Sequence, residues 1–310
     1  MNLPSRVILK EVGPRDGLQH EKRSVSIANK VTWINMLSDS GLRYIECSSF
    51  VSSSWIPALS DAEEVFKQIK RHPDAIYCAL VPNVKGMERA LASNVDELSV
   101  FISASGTHNR KNINKSKQET YPVLDKVIKG SLAEKKRVRG YISMVFGCPY
   151  EGEIAIDEVK KICEKLFHLG VYEISLGDTI GIAHPKQVER LLTELKNYFG
   201  SLDNFALHFH DTRGLGIANS LVGLQAGIQT FDGSLGGLGG CPYAKGASGN
   251  IATEDLAFML EQMGIATFIQ PEALMNAAIF IEKVLNHNLP SHQLNLYKKG
   301  VDSWNLFAQK

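Results

Sequence analysis

The 310-residue chain reads as an α/β protein of the closed (β/α)8 kind, a TIM barrel with a C-terminal helical extension. Three observations predict this. Short apolar runs rich in β-branched residues alternate with helix-period segments along the whole chain. The strand-like runs number eight. No Pro/Gly/Ser linker, low-complexity tract or sustained charge run interrupts the series, and about 250 residues is an ordinary size for one such barrel. A doubly wound open sheet fits the count and spacing less well. One catalytic barrel domain over residues 1–310 is expected, with about 268–310 as a helical appendage.

In order, the strands are expected at 7–12, 44–47, 75–81, 97–103, 139–146, 173–176, 205–210 and 230–234. The intervening helices fall at 26–40, 58–70, 84–92, 118–133, 157–169, 185–198, 215–227 and 253–263. Asp157 is of the type that caps a helix start, and Pro185 suits a first helical turn. The remaining tail, with His287, His292 and Trp304, is read as packing or an oligomer contact.

Composition narrows the function. The 34 Lys and Arg against 33 Asp and Glu give a net charge of +1, so no global field draws the chain to nucleic acid or a membrane surface. Hydrophobic residues at 44% and charged residues at 22% match an ordinary globular protein, and no apolar run nears the roughly 20 residues that span a bilayer. Residues 1–10 carry no signal-peptide or transit pattern, so a cytoplasmic setting is expected. The five cysteines include no C-x-x-C pair and are expected as free thiols. Cys47, Cys78 and Cys163 sit in apolar segments and read as core. Cys148, in Gly147-Cys148-Pro149-Tyr150, and Tyr141 are evenly balanced between lining a site and packing.

Reactive groups in such a barrel gather at the C-terminal ends of the strands. Four of these ends are polar: Arg15-Asp16 after the first strand, Glu46 in the second, Asp178 after the sixth, and His208-Phe209-His210-Asp211 at the seventh. Alternation along a strand puts His208 and His210 on one face, a spacing that chelates a single divalent ion. A mixed set with a carboxylate such as Asp16 and an amide oxygen such as Asn250 suits Mg2+ or Mn2+, although a histidine pair also suits Zn2+ or Fe2+. Asn250 reads alternatively as a cap for the helix at 253–263. Arg15 lies in Gly13-Pro14-Arg15-Asp16-Gly17, where its permanent charge can face a developing oxyanion such as a thioester enolate; the plainer reading is an Arg-Asp surface pair. Residues 234–243 hold four glycines in five positions and Cys241. They read as a lid delivering a thiol for proton transfer, or as a phosphate-cradling loop.

Several segments together resemble 3-hydroxy-3-methylglutaryl-CoA lyases: EVGPRDGLQ from Glu11 to Gln19, Ile45-Glu46 with Ser49-Phe50-Val51, LGDTIG from Leu176 to Gly181, His208 to Asp211, and GLGGCPYAKGASGN ending at Asn250. The last is the most specific. The R-D-G turn and the H-x-H pair are shared with related barrel synthases that run Claisen condensations. The resemblance covers nearly the whole chain. It implies Mg2+ or Mn2+ held by Asp16, His208, His210 and Asn250. Further active-site residues are then Arg15, Glu46, Asp178 and Cys241, with Arg15, Gln19 and Tyr141 against an acyl-CoA substrate. It also implies cleavage to acetyl-CoA and acetoacetate, a role in leucine degradation and ketone-body formation, and a homodimer. Phe209, where Cys is common, and Arg213-Gly214-Leu215-Gly216, in place of a Tyr-Gly-Gln continuation, depart from the family pattern. The alternatives are a condensing synthase and, in a different class, a metal-binding barrel without catalysis.

Overall fold

Apolar side chains at every second position commit the strands to burial on their outer face, and helices with one apolar stripe cover them. The computed structural model describes residues 3–240, 249–301 and 304. Its elements are β1 (Ile8–Glu11), α1 (Ile27–Asp39), β2 (Tyr44–Ser49), α2 (Ala62–Gln68), β3 (Ile76–Leu80), α3 (Val84–Ala92) and β4 (Glu97–Ser103). Then follow α4 (Gly106–Ile113), α5 (Lys117–Ala133), β5 (Arg137–Ser143), α6 (Ile156–Leu169), β6 (Glu173–Asp178) and α7 (Pro185–Phe199). The chain continues through β7 (Phe205–Phe209), α8 (Gly216–Ala226), β8 (Thr230–Gly233), α9 (Thr253–Gln262), α10 (Pro271–Leu285) and α11 (His292–Tyr297). The strands pair parallel in sequence order, and β8 returns to β1 to close the barrel. Beyond the eighth repeat, α10 lies against α1, and Trp304 meets the Phe258 ring edge-on at 5.6 Å.

The expected class is therefore observed, with local corrections. An extra helix, α4, precedes α5; its sequence GTHNRKNI has no apolar stripe, and it starts because the Ser105 side chain accepts the His108 N–H. The strands β2 and β6 each run two residues beyond expectation, since Ser48-Ser49 and Gly177-Asp178 end the apolar run without ending the pairing. Asp157 does not cap α6: Ala155 holds that position without a side-chain bond, and Asp157 sits in the first turn, where its charge complements the helix dipole. Asn250 does not cap α9, whose first flanking residue is Ala252. Pro185 does open α7.

The barrel interior is not the usual stack of branched aliphatic layers. Lys10 of β1 reaches Glu173 of β6 at 2.7 Å, and Arg139 of β5 reaches Glu173 at 2.6 Å and Asp232 of β8 at 2.7 Å. The Tyr44 hydroxyl of β2 donates to Glu97 of β4 at 2.7 Å. The β1–β6, β5–β8 and β2–β4 contacts join strands that are not neighbours in the ring, so they pass through its lumen. The aliphatic residues of the same strands, such as Ile45, Val100, Ile142, Ile174 and Leu207, pack outward into the helices.

Candidate active site

A short π-helical turn, Gly13–Gly17, leaves the end of β1 and carries Arg15 and Asp16 over the lumen. There Asp16 Oδ2 lies 3.8 Å from His208 Nε2 and 4.0 Å from His210 Nε2. The three residues each offer a ligand atom, all within 4.8 Å of one another. Around an ion with bonds of about 2.1 Å, neighbouring ligands sit about 3 Å apart and opposed ones about 4.2 Å, so these separations suit one cation. Burial by itself would raise the Asp16 carboxyl, but Arg15 and then the two imidazoles hold it well below the carboxylate range. It is thus a ready anionic ligand. His208 is in β7, while His210 lies just past it and forms a bridge with Asn250. Asn250 stands beside the trio: its Nδ2 donates to Asp16 Oδ2 at 2.9 Å and to the Leu238 carbonyl at 3.0 Å. To act as a ligand it must turn its Oδ1 inward.

The Arg15-Asp16 pair is not a surface pair, since the Arg15 side chain is buried. Its Nε donates to Glu46 Oε2 at 2.5 Å, and Nη1 donates to Asp16. Glu46 is fully buried, its Oε1 has no hydrogen bond among the described residues, and Arg15 is its compensating charge. The Tyr141 ring lies 5.3 Å below the guanidinium and 6.2 Å from the His208 ring, so the inward reading of Tyr141 is the observed one. Its hydroxyl is buried without a partner among the described residues. Gln19 is half-buried on the one-turn helix Leu18–His20 that follows Asp16.

Asp178 ends β6, buried, with one oxygen accepting the Ile182 N–H at 2.9 Å and the other the Ala183 N–H at 3.0 Å. Burial outweighs these bonds and raises its carboxyl to about 6. Arg213 ties down the same turn through the carbonyls of Ile180 (3.1 Å) and Gly181 (2.8 Å). Asp211 stays outside the trio and accepts the Gly216 N–H at the start of α8. Cys148 packs with Met144 and Ile180, its thiol 3.0 Å from the Ser105 hydroxyl. Cys47, Cys78 and Cys163 are buried free thiols, pushed up by that burial.

Cys241 lies outside the described residues, but the base of its loop is informative. Leu235 N–H donates to Glu11 at 3.0 Å, Gly236 N–H to both oxygens of Glu254 at 3.0 Å, and Gly237 N–H to the Ser234 carbonyl at 2.8 Å. The N–H groups of residues 235–237 are therefore engaged within the protein. On the returning side Gly249 adopts φ +95°, and a Cβ there would stand 2.5 Å from the carbonyls of both Gly237 and Gly239. Only glycine lets the two limbs of the loop close beside Asn250.

Sequence reasoning missed Glu11, Glu254, Asp232 and Arg139. Glu11 accepts from Gly13 N–H, Leu235 N–H and the Thr253 hydroxyl, binding the Arg15 turn to the glycine loop. For Glu11 and Asp232 a partial signal was available, a charge inside a strand too costly to bury unpaired, which marks the residue but not its partner.

Fold and site together define a TIM-barrel protein whose carboxyl-end mouth holds a carboxylate and two imidazoles in an arrangement suited to a divalent cation. The chain matches the HMGL-like family over residues 6–281. It is 52% identical over 300 residues to the hydroxymethylglutaryl-CoA lyase YngG of Bacillus subtilis, covering 97% of this chain and 100% of that one. The crystal structure of the Bacillus subtilis HMG-CoA lyase superposes with a TM-score of 0.94, covering 96% of this chain and 100% of that one. An HMG-CoA lyase from Acinetobacter baumannii, solved with coenzyme A and 3-methylmalate, is 42% identical with a TM-score of 0.91 and 96% coverage of both chains. The chain belongs to the hydroxymethylglutaryl-CoA lyase family.

Proposed function

We propose that this protein cleaves 3-hydroxy-3-methylglutaryl-CoA to acetyl-CoA and acetoacetate with a divalent cation, Mg2+ or Mn2+, held by Asp16, His208, His210 and Asn250. The observation that carries it is a single mouth in which Asp16, His208 and His210 converge beside a buried Arg15. The relatives' names agree with it. Bound at the trio, the cation would supply Lewis-acid polarisation of the substrate's alcohol and carboxylate oxygens.

The protein's own groups have three tasks. The bond that breaks joins a tertiary alcohol carbon to the carbon alpha to the thioester, so the hydroxyl proton must leave as the bond electrons flow towards the thioester. Asp16, His208 or Asp178 takes that proton; burial raises the Asp178 carboxyl to about 6, a value compatible with a base at neutral pH. As negative charge grows on the thioester oxygen, the Arg15 guanidinium, fixed by Glu46, opposes it without having to reorganise. Cys241 then gives a proton to the enolate carbon, completing acetyl-CoA. Tyr141 and Gln19 line the substrate path.

A condensing synthase uses the same enolate, but full-length similarity to lyases favours cleavage. A non-catalytic barrel would have no need for Asp178 and Arg15 around the trio. No described helix is long and apolar enough to cross a membrane. A cytoplasmic setting, a homodimer, and the place in leucine degradation and ketone-body formation are proposed with the activity. Light scattering reads the mass of the assembly. The deciding assay supplies HMG-CoA with Mg2+ or Mn2+ and measures acetoacetate and acetyl-CoA. One-to-one formation that EDTA stops supports the proposal. Product only from acetyl-CoA plus a 2-keto acid would point to the synthase, and metal binding without turnover to the scaffold.

A further inference from the structure

The lumen below the metal-type trio holds a carboxylate that no catalytic step above uses. Asp232 of β8 is buried and accepts from Arg139 at both oxygens, Nη2 to Oδ1 at 2.7 Å and Nη1 to Oδ2 at 3.3 Å. Its Oδ2 also accepts the Ser175 hydroxyl at 2.7 Å. The same Oδ2 stands 3.3 Å from His208 Nδ1, a buried ring nitrogen with no closed hydrogen bond among the described residues. The other ring nitrogen, Nε2, faces Asp16.

We propose that Asp232 is a positioning residue for the site: it keeps the proton of His208 on Nδ1 and so leaves the Nε2 lone pair directed at the cation position between Asp16 and His210. The chemistry leaves His208 little choice. Asp232 is fixed as an acceptor by two guanidinium donors and a hydroxyl, so the nitrogen facing it must donate. In a neutral imidazole the second nitrogen is then the acceptor, which is the form a metal ligand needs. Carboxylates placed behind metal-binding histidines act in this way, setting tautomer and ring orientation, and their loss typically weakens metal binding about 10- to 100-fold. Arg139 is in turn held by Glu173, and Glu173 by Lys10, so the ring of His208 is braced from the far end of the barrel.

This inference rests on the proposed cation site, and the test separates the two. In 15N-histidine-labelled, metal-free protein above the imidazole titration, His208 is assigned by the loss of its signal in His208→Gln. It should appear as the Nδ1–H tautomer. Asp232→Asn, nearly equal in shape, should shift His208 towards the Nε2–H form. It should also weaken Mn2+ binding about 10- to 100-fold, read from the EPR signal of free Mn2+. Should Asp232→Asn fail to fold, the tautomer of His208 in the unmodified protein decides alone. An Nε2–H tautomer in the unmodified protein overturns the inference, as does Mn2+ affinity within twofold of normal in folded Asp232→Asn. Failure of the unmodified protein to bind Mn2+ would instead refute the cation site, while the tautomer still judges Asp232.

Discussion

Replacing Arg15 with Gln removes two things at once, and the structure separates them. The guanidinium is the only cation within hydrogen-bond reach of Glu46 among the described residues, and Glu46 is fully buried. Breaking a buried pair by removing one partner typically costs about 3–5 kcal/mol, because the survivor is left charged and desolvated. The same side chain is the proposed counter-charge to the enolate, and losing one such preorganised donor typically lowers turnover about 100- to 1000-fold, roughly 2.7–4 kcal/mol of transition-state stabilisation. Mn2+ binding should survive, since Asp16, His208 and His210 remain. The double variant Arg15→Gln with Glu46→Gln distinguishes the effects. It removes the stranded charge and should recover most of the stability in chemical denaturation, yet the acetoacetate assay should stay as low as in the single variant. If the double variant recovers turnover together with stability, Arg15 acts only through folding and the electrostatic role is wrong. Near-normal turnover in Arg15→Gln alone would be equally fatal.

Cys241→Ser should keep Mn2+ affinity while turnover falls; an unchanged rate in the acetoacetate assay excludes the thiol as an essential acid. Glu11, raised by burial to about 7 against an ordinary value near 4.5, favours folding in its protonated form. Its contribution is full below the unfolded value and disappears as pH rises through about 7, a change on the order of 3 kcal/mol. Glu11→Gln can keep accepting from Gly13 and Leu235 while donating to Thr253, so denaturation of the metal-free variant should lose that pH dependence. Matching slopes for the two proteins between pH 4.5 and 8 would contradict the assignment. Gly249→Ala forces a side chain onto two carbonyls at positive φ and should cost about 1–3 kcal/mol with weaker Mn2+ binding, measured by melting and by titration. A variant that melts and binds normally would show that the loop limbs are not as close as drawn.

The barrel was legible because alternating apolar strands and striped helices are local patterns. The turn bearing Arg15 and Asp16, Glu46 in β2, Asp178 and the His208-His210 pair were legible because polar residues at strand ends stand out against apolar runs. The lumen was not. Lys10, Arg139, Glu173 and Asp232 are each one charge within a strand, and only closure of the ring brings β1 to β6 and β5 to β8. Glu11 and Glu254 were hidden for a similar reason: their partners, Leu235 and Gly236, are backbone N–H groups, and amide positions leave no trace in residue identity. The extra helix α4 escaped because its cap, Ser105, was the only cue its polar sequence offered.

The most direct measurement is an anomalous difference map from crystals grown with Mn2+. The account requires one strong peak bonded at about 2.0–2.3 Å to Asp16, His208 Nε2 and His210 Nε2 together. A peak that touches only one of them, or none in a crystal of active enzyme, would contradict it.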